Sequence, residues 1–567
     1  MLDAANARAR HVCDPNPLAG FIAGSWFGSI VKDVRPCLLA VAVAACLLCA
    51  ARSSAQQCDS VSSRTSLSAF AGARIRSVRI ATQSPPGFPG VAGVLDKLHV
   101  RTRDRTVRRQ LLFAAGDTVD TLAVAESVRR LRRDRYLRDV ELLGVRCDHG
   151  VDLVVSTRDD WSVKPKVQVR SSGNSELGLT ERNLFGSGRE LAMHVRTQQG
   201  RVGVGVSLND PWFLGSRVGA VIGQDTYKDG QEWTATLRLR EESVLAPWGA
   251  ELGGIQSEYE PGGVVGDRFE RGAAHLLIRR RLLDDASAVM SVVGGVETEE
   301  ARLVAAPGAP IVGPSQAARN FVGLSVGAAR AAVAYDTLTW LLPNDAIVDV
   351  PLAFESEAVV GLGRDVARGG PMMHVDLWAG KAWLPSRRGL ALADVWVSGY
   401  TSAGTWDAAA FRASLAYYQA AKRGFWSTRL TADRLLNPDP DVRTFVTIDP
   451  TARLLPDGRR LAEAALGFTT ERDVRLMGLT RSWALDGALF GAVSSRWEAV
   501  EPSPEHIDVA AVGVGLRLTP TRLGRATARL DVGVPVLGSA VAKRGIYVGI
   551  GLSPWWDDDR HRAGRRD

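Results

Sequence analysis

The stretch Gly545-Ile546-Tyr547-Val548-Gly549-Ile550-Gly551-Leu552-Ser553 sets Ile546, Val548, Ile550 and Leu552 at alternate positions, with Tyr547 and small residues between them. A strand repeats every two residues, so the two sets lie on opposite faces. The pattern recurs upstream. Val202, Val204, Val206 and Leu208 alternate with Gly203, Gly205 and Ser207, and Val512, Val514 and Leu516 alternate with Gly513, Gly515 and Arg517. Leu530, Val532 and Val534 alternate in the same way with Arg529, Asp531 and Gly533. In a soluble sandwich such apolar rows pack against each other. In a membrane barrel they meet lipid, and the polar rows meet a watery lumen.

The other end of the chain bears on that choice. Residues 37–50 carry no charge and are mostly apolar; Lys32 and Arg35 precede them and Ser53-Ser54-Ala55 follows. A basic segment, a short apolar run and small residues describe a secretory signal peptide, with cleavage after Ala55. The run is shorter than the roughly 20 residues a membrane helix needs. Val43-Ala44-Ala45-Cys46 has lipobox-like spacing, but Leu47 and Leu48 follow directly. The long stretch before the apolar run reads as a start assigned too early or as an extended basic region, so residues 1–55 stand outside the fold. An exported chain without a membrane helix is soluble, anchored or a barrel.

Composition agrees with a barrel: glycine is 57 of 567 residues, and Trp (15) outnumbers Tyr (8). The formal charge of +8 is spread along the chain without a basic block, which gives no case for nucleic acid. Four of the six cysteines precede residue 56. Cys58 and Cys147 remain, either as a disulfide in an oxidising compartment or as two free thiols.

Residues 56–72 are a Ser/Ala-rich lead-in. Over 73–160 the pattern predicts a small α+β domain in the order β-α-α-β-β with a three-stranded sheet. Its first strand carries Ile75, Val78 and Ile80, and a short helix carries Val107 and Leu111. A second helix has Asp120 as N-cap and an apolar face of Leu122, Ala125, Val128 and Leu131, with Arg129, Arg130, Arg132 and Arg133 mostly opposite. Roughly 18–20 strand-like runs follow between Val163 and Trp556, among them 201–210, 217–227, 232–242, 248–260, 407–420, 424–435 and 525–536. Segments near 300–318 and 436–460 read as loops. The charged tail 557–567 lies beyond the barrel, 161–556.

The wording Gly116-Asp117, Leu122-Ala123-Val124-Ala125-Glu126-Ser127-Val128-Arg129-Arg130-Leu131-Arg132 and Tyr136 resembles a POTRA domain. POTRA modules are periplasmic docking domains of the outer-membrane assembly-factor, or bacterial surface antigen, superfamily, which includes BamA and TamA. Asn183-Leu184-Phe185-Gly186-Ser187-Gly188 resembles that family's phrase on the second barrel strand. Asp210-Pro211-Trp212-Phe213 resembles the turn after its fourth. The glycines permit positive φ in a tight reversal, and Pro211 stops a ladder because it has no N–H. Trp212 and Phe213 are then expected in an aromatic girdle.

The resemblance implies a 16-stranded transmembrane antiparallel barrel, against 18–20 by count, preceded by one POTRA-like domain. It also implies a loop folded into the lumen, whose Arg-Gly-aromatic tip pairs with a carboxylate on the wall. The literal string Arg423-Gly424-Phe425 looks like a hairpin turn, and by position Arg453-Leu454-Leu455 takes the motif's place without its glycine and aromatic. Arg453 and Arg423 are therefore candidate anchors or ordinary solvated charges, with Glu471 and Asp531 as candidate partners. Gly545, Tyr547, Trp555 and Trp556 resemble the terminal-strand signal read by the assembly machinery. Pro554 either weakens the final pairing or lies beyond it.

For catalysis, His374 and Asp376 share a strand face and could orient a base. No Gly-x-Ser-x-Gly elbow precedes a helix, no His-Glu-x-x-His appears, and no Cys-x-x-Cys cluster survives signal cleavage. The expectation is no enzyme, no cofactor and no metal. The resemblance implies an outer-membrane protein with its N-terminal domain in the periplasm. Its partners would be the bilayer, unfolded or secreted polypeptides, and periplasmic or lipoprotein components. Insertion or translocation of polypeptides is the expected function. A passive pore or structural barrel is the alternative, with lipid transport a third.

Overall fold

A computed structural model describes residues 59–554, apart from connecting segments of which the longest are 86–98, 305–318, 438–461 and 538–546. Cys58, Arg453, Gly545, Trp555 and Trp556 lie outside the described residues, as does the side chain of Cys147, so the disulfide lies there too.

The first layer is a four-stranded sheet in the order β1 (Asp59–Val61), β3 (Leu137–Cys147), β4 (Gly150–Asp159) and β2 (Ile75–Gln83). The expected three strands gain a fourth because the lead-in pairs with the margin of β3, at Gly144–Arg146. Two helices cover the sheet, α1 (Asp104–Gln110) and α2 (Thr121–Arg133). Asp120 caps α2 by accepting from the N–H groups of Leu122 and Ala123 at 2.8 and 3.3 Å. The buried stripe of α2 is Val124, Val128 and Leu131, and Leu122 is exposed, which corrects the expected face. Arg129 and Arg130 are buried rather than turned to solvent. Both are paired: Arg129 donates to Glu126 at 2.6 Å and Arg130 to Gln110 at 3.3 Å.

The second layer is a ring of twenty antiparallel strands. Its first ten are β5 (Val163–Arg170), β6 (Ser175–Leu184), β7 (Arg189–Gln198), β8 (Arg201–Asp210), β9 (Val218–Tyr227), β10 (Gly230–Leu239), β11 (Trp248–Tyr259), β12 (Arg268–Asp284), β13 (Ala288–Val304) and β14 (Arg319–Ala332). A separate two-stranded hairpin follows, β15 (Tyr335–Leu338) with β16 (Val348–Pro351). The ring resumes with β17 (Glu355–Asp365), β18 (Gly370–Ser386), β19 (Gly389–Ser402), β20 (Thr405–Ala421) and β21 (Gly424–Leu436). It ends with β22 (Ala462–Gly478), β23 (Trp483–Glu498), β24 (Glu505–Pro520), β25 (Ala526–Leu537) and β26 (Tyr547–Pro554), which returns to β5. Twenty strands replace the sixteen that the resemblance implied. The number is even, so the first and last strands meet antiparallel.

The alternating rows point as a membrane barrel requires. Val512, Val514 and Leu516 are exposed on the outside at 46, 56 and 44 %, while Arg517 on the opposite face is 1 % exposed. Val202, Val204 and Val206, and Leu530 and Val534, are also outward and exposed. So large a continuous apolar exterior is incompatible with water and suited to lipid. The apolar rows do not pack against one another as in a sandwich.

Candidate functional site

Three features of the ring depart from plain strand pairing: its seam, its charged lumen, and the end that meets the domain.

At the seam, among the described residues, β26 pairs with β5 at Gly549 with Arg170, Ile550 with Val169 and Gly551 with Gln168, and the pairing stops there on the domain side although β5 begins at Val163 and β26 runs to Pro554. The adjoining pairs are longer, eight residues for β25–β26 and seven for β5–β6. Tyr547 pairs with Gly533 at one end of β26, and Pro554 pairs with Ala526 at the other, so Pro554 lies within the ladder. Pro165, in β5, sits on the same seam strand. A proline on each seam strand removes a ladder donor from each.

In the lumen, Arg517 on β24 sits among carboxylates from neighbouring strands. It donates to Glu471 on β22 at 2.9 Å and to Asp531 on β25, and Asp473 lies 4.0 Å away. Arg529 approaches Asp531 at 3.4 Å. Glu471 and Asp531, singled out in the sequence as partners for a loop arginine, are thus brought together by an arginine of the wall. Arg517 was legible only as one polar-face residue in an alternating strand. Arg423 is exposed in the two-residue turn between β20 and β21, with its carbonyl accepting from the N–H of Arg475 at 2.9 Å. That places it at a rim turn, away from Glu471's lumen pairing. Five strands, β22 to β26, follow the segment that holds Arg453.

A second lumen cluster joins β12, β13, β14, β18 and β19. Glu299 accepts from Arg319 at 3.2 Å, from Tyr400 at 2.8 Å and from Arg271 at 3.3 Å. His374 stacks on Tyr400 with ring centres 4.6 Å apart and bonds Glu297 at 3.0 Å. The carboxylate partner of His374 is Glu297, across the lumen face, rather than Asp376 on its own strand.

At the domain-side end, the phrase Asn183–Gly188 forms the β6–β7 turn and holds the domain. Phe185, Gly186 and Gly188 have φ of 56, 68 and 72°. The buried Asn183 donates to Thr102 at 2.8 Å and accepts from the N–H of Gly188 at 2.8 Å. The carbonyl of Gly186 accepts from the Arg103 N–H and the Thr106 hydroxyl at the start of α1, both at 3.0 Å. A Cβ on Gly186 would lie 2.4 Å from the Arg101 carbonyl oxygen. The turn is therefore a docking element as well as a reversal.

Asp210 plays a similar part after β8, accepting from the Trp212 N–H and from Arg189, both at 2.9 Å. Trp212 is buried, with Arg109 of α1 over its ring at 5.4 Å, so it faces the domain rather than joining a lipid girdle. Pro211 and Phe213 are half-buried, and Leu214 forms the exposed tip.

The β15–β16 hairpin, unforeseen in the sequence, also reaches the domain. Asp349 accepts from Arg132 of α2 at 3.0 Å, and Arg129 lies 4.6 Å from the Tyr335 ring centre. The hairpin's Leu338, Val348 and Val350, with Trp340 and Leu341, pack on Ala382, Leu390 and Phe425. Those three wall residues alternate with outward Trp383 and Trp426 or share the face of Asp394, so they face the lumen. An apolar patch inside a charged lumen is explained by the hairpin covering it.

Beneath α2, burial raises Asp134 to about 6 although Tyr136 and Gln110 both donate to it at 2.6 Å. Burial also pushes Tyr136 well above its ordinary value and lowers Arg130 to about 10.

No protein-family model and no curated protein matches the chain. Among solved structures it is similar to CdiB from Escherichia coli, at 10 % identity and a TM-score of 0.42, over 87 % of this chain and 80 % of that one. It is similar to BamA from Haemophilus ducreyi lacking POTRA domains 1-3, at 12 % identity and 0.30, over 77 and 84 %. It is also similar to BauA, the ferric preacinetobactin receptor from Acinetobacter baumannii, at 8 % identity and 0.33, over 74 and 85 %.

Proposed function

We propose that this protein is an outer-membrane barrel with a periplasmic, POTRA-like domain, and that it assists the insertion or translocation of polypeptides. The observation that carries this reading is the seam between β26 and β5, whose described pairing stops at Gly551 with Gln168 and leaves the domain-side ends of both strands without a ladder to each other. Strand edges template incoming strands through main-chain hydrogen bonds, and a short, proline-bearing seam is the place where a ring can expose such edges at least cost. The outward apolar rows supply the membrane, and the domain supplies a sheet whose β2, from Ser77 to Gln83, has a described ladder partner only in β4. No nucleotide or metal enters this reading.

The test is to place cysteines at Val169 and Ile550, which pair across the seam. Under oxidation, insertion or export of the client should stop, and reductant should restore it. A locked seam with undiminished activity would overturn the reading. Depletion followed by outer-membrane proteomics identifies the client as the one barrel or exported protein selectively lost.

The width of the ring favours a second reading, a passive pore, because barrels of 16–18 strands already leave an aqueous channel. The hairpin seated in the domain-side mouth weighs against it. Steady high conductance in planar bilayers would decide for the pore.

A further inference from the structure

On the outside of the ring, one register row runs Trp426, Arg472, Leu489, Val514, Val532 and Val548 from β21 to β26. Direct cross-strand partners share a face, and Trp426, Leu489 and Val514 are exposed outward, so Arg472 points outward too. It is the one charge in that row. Along its own strand, outward Leu466 and Phe468 lie on one side and Val474 and Leu476 on the other. Arg472 therefore lies inside the apolar band, where an outward arginine is costly, most of all at mid-depth and less toward either surface.

Several other outward arginines have partners. Arg280 lies 4.5 Å over the Trp248 ring, Arg302 is 2.6 Å from Glu270, and Arg330 is 3.6 Å from Asp285. Among the described residues Arg472 has no ion pair, and the nearby polar groups are satisfied among themselves. Trp426 donates to Thr470 at 2.8 Å, and Thr470 meets Thr428 at 3.2 Å.

The adjacent row, Thr428, Thr470, Gly491, Val512 and Val534, has no side chain at Gly491. The gap opens a cleft of about 630 Å³ walled by Thr470, Arg472, Leu489, Val512, Val514 and Val534. It begins at a cation and continues between aliphatic side chains toward the seam strands.

We infer that Arg472 and this cleft bind one acidic phospholipid of the leaflet on the domain side. The phosphate pairs with the guanidinium, and an acyl chain lies over Gly491 between Leu489, Val512 and Val534. This rests on the membrane reading above and adds a ligand beside the seam. Charge complementarity commits the site to an acidic headgroup. Thr470 and Trp426 border the headgroup, and the aliphatic wall excludes a free inorganic anion as the full ligand.

The test uses the full chain in nanodiscs of phosphatidylcholine with a minority of phosphatidylglycerol, and counts retained lipids by native mass spectrometry after mild release. Wild type should retain one phosphatidylglycerol in preference to phosphatidylcholine. Arg472→Leu should lower that retention about five- to tenfold, as expected for loss of one cation at an anionic lipid surface, and Arg472→Lys should keep most of it. Gly491→Leu has room for its Cβ, which meets nothing nearer than 3.9 Å, and its side chain over the cleft should also reduce retention. Equal retention of both lipids by wild type, or unchanged selectivity in Arg472→Leu, would overturn the site. Failure of wild type to enter nanodiscs would instead sink the membrane reading itself.

Discussion

Arg517 is the residue on which the lumen wall near the seam depends. It is 1 % exposed and holds Glu471 and Asp531 together. Arg517→Met would remove the cation that the two carboxylates share, leaving Arg529 near Asp531, and loss of one partner of a buried pair costs about 3–5 kcal/mol. The heat needed to unfold the barrel, read as its electrophoretic shift, should fall, and adding Glu471→Gln with Asp531→Asn should recover part of it. Both carboxylates were legible because they fall on the polar faces of alternating strands. Their partner was not, since strand register, rather than spacing in the chain, decides who meets across β22, β24 and β25. A second prediction concerns Asp134, raised by burial to about 6 from an ordinary 3.8. Between those values the folded domain holds more protons than the unfolded chain, so its stability is greatest at low pH and declines as pH rises through about 6. Asp134→Asn should remove that decline, and hydrogen exchange of 121–147 in the full chain at pH 5 and pH 8 reads the difference.

Among the elements, the turns and strands were the most legible and the helix faces the least. The runs expected at 201–210 and 424–435 match β8 and β21 closely, because a glycine (Gly200, Gly424) marks each start and Asp210-Pro211 or Asn437-Pro438 marks each end. The buried face of α2 was displaced from Leu122 to Val124 because its two neighbours, the sheet and the hairpin, take both flanks of a thirteen-residue helix. The turn Asn183–Gly188 was recognisable as a reversal, but its grip on α1 was not, since Thr102 and Arg103 lie far upstream. Gly186→Ala should break that grip, because its Cβ would strike the Arg101 carbonyl and its φ is positive. Asn183→Ala should cost about 1–3 kcal/mol of docking through the unsatisfied Thr102 and Gly188 groups it leaves. Protease cleavage within 99–110 should quicken in both variants while the barrel stays heat-resistant.

For the whole molecule, a membrane barrel behind a small α+β domain was legible, and the count of 18–20 runs includes the twenty strands that the sixteen of the resemblance missed, but the β15–β16 hairpin was not legible. Strand counting blurs where long runs carry bulges, as in β12 and β18. Nothing in Tyr335–Pro351 distinguishes an inserted hairpin from another pair of wall strands. Replacing 335–351 with a short Gly/Ser link should raise single-channel conductance several-fold with the barrel intact. An unchanged value would show that the hairpin obstructs nothing.

The lead-in strand β1 has its own consequence. By lying along Gly144–Arg146 it makes the chain its own competitor for that ledge, and a tethered rival acts at millimolar effective concentration. Under the proposed function, an extended segment visiting that ledge would have to displace a resident whose described part is three residues long, so only a segment with side chains that fit the ledge would gain by it.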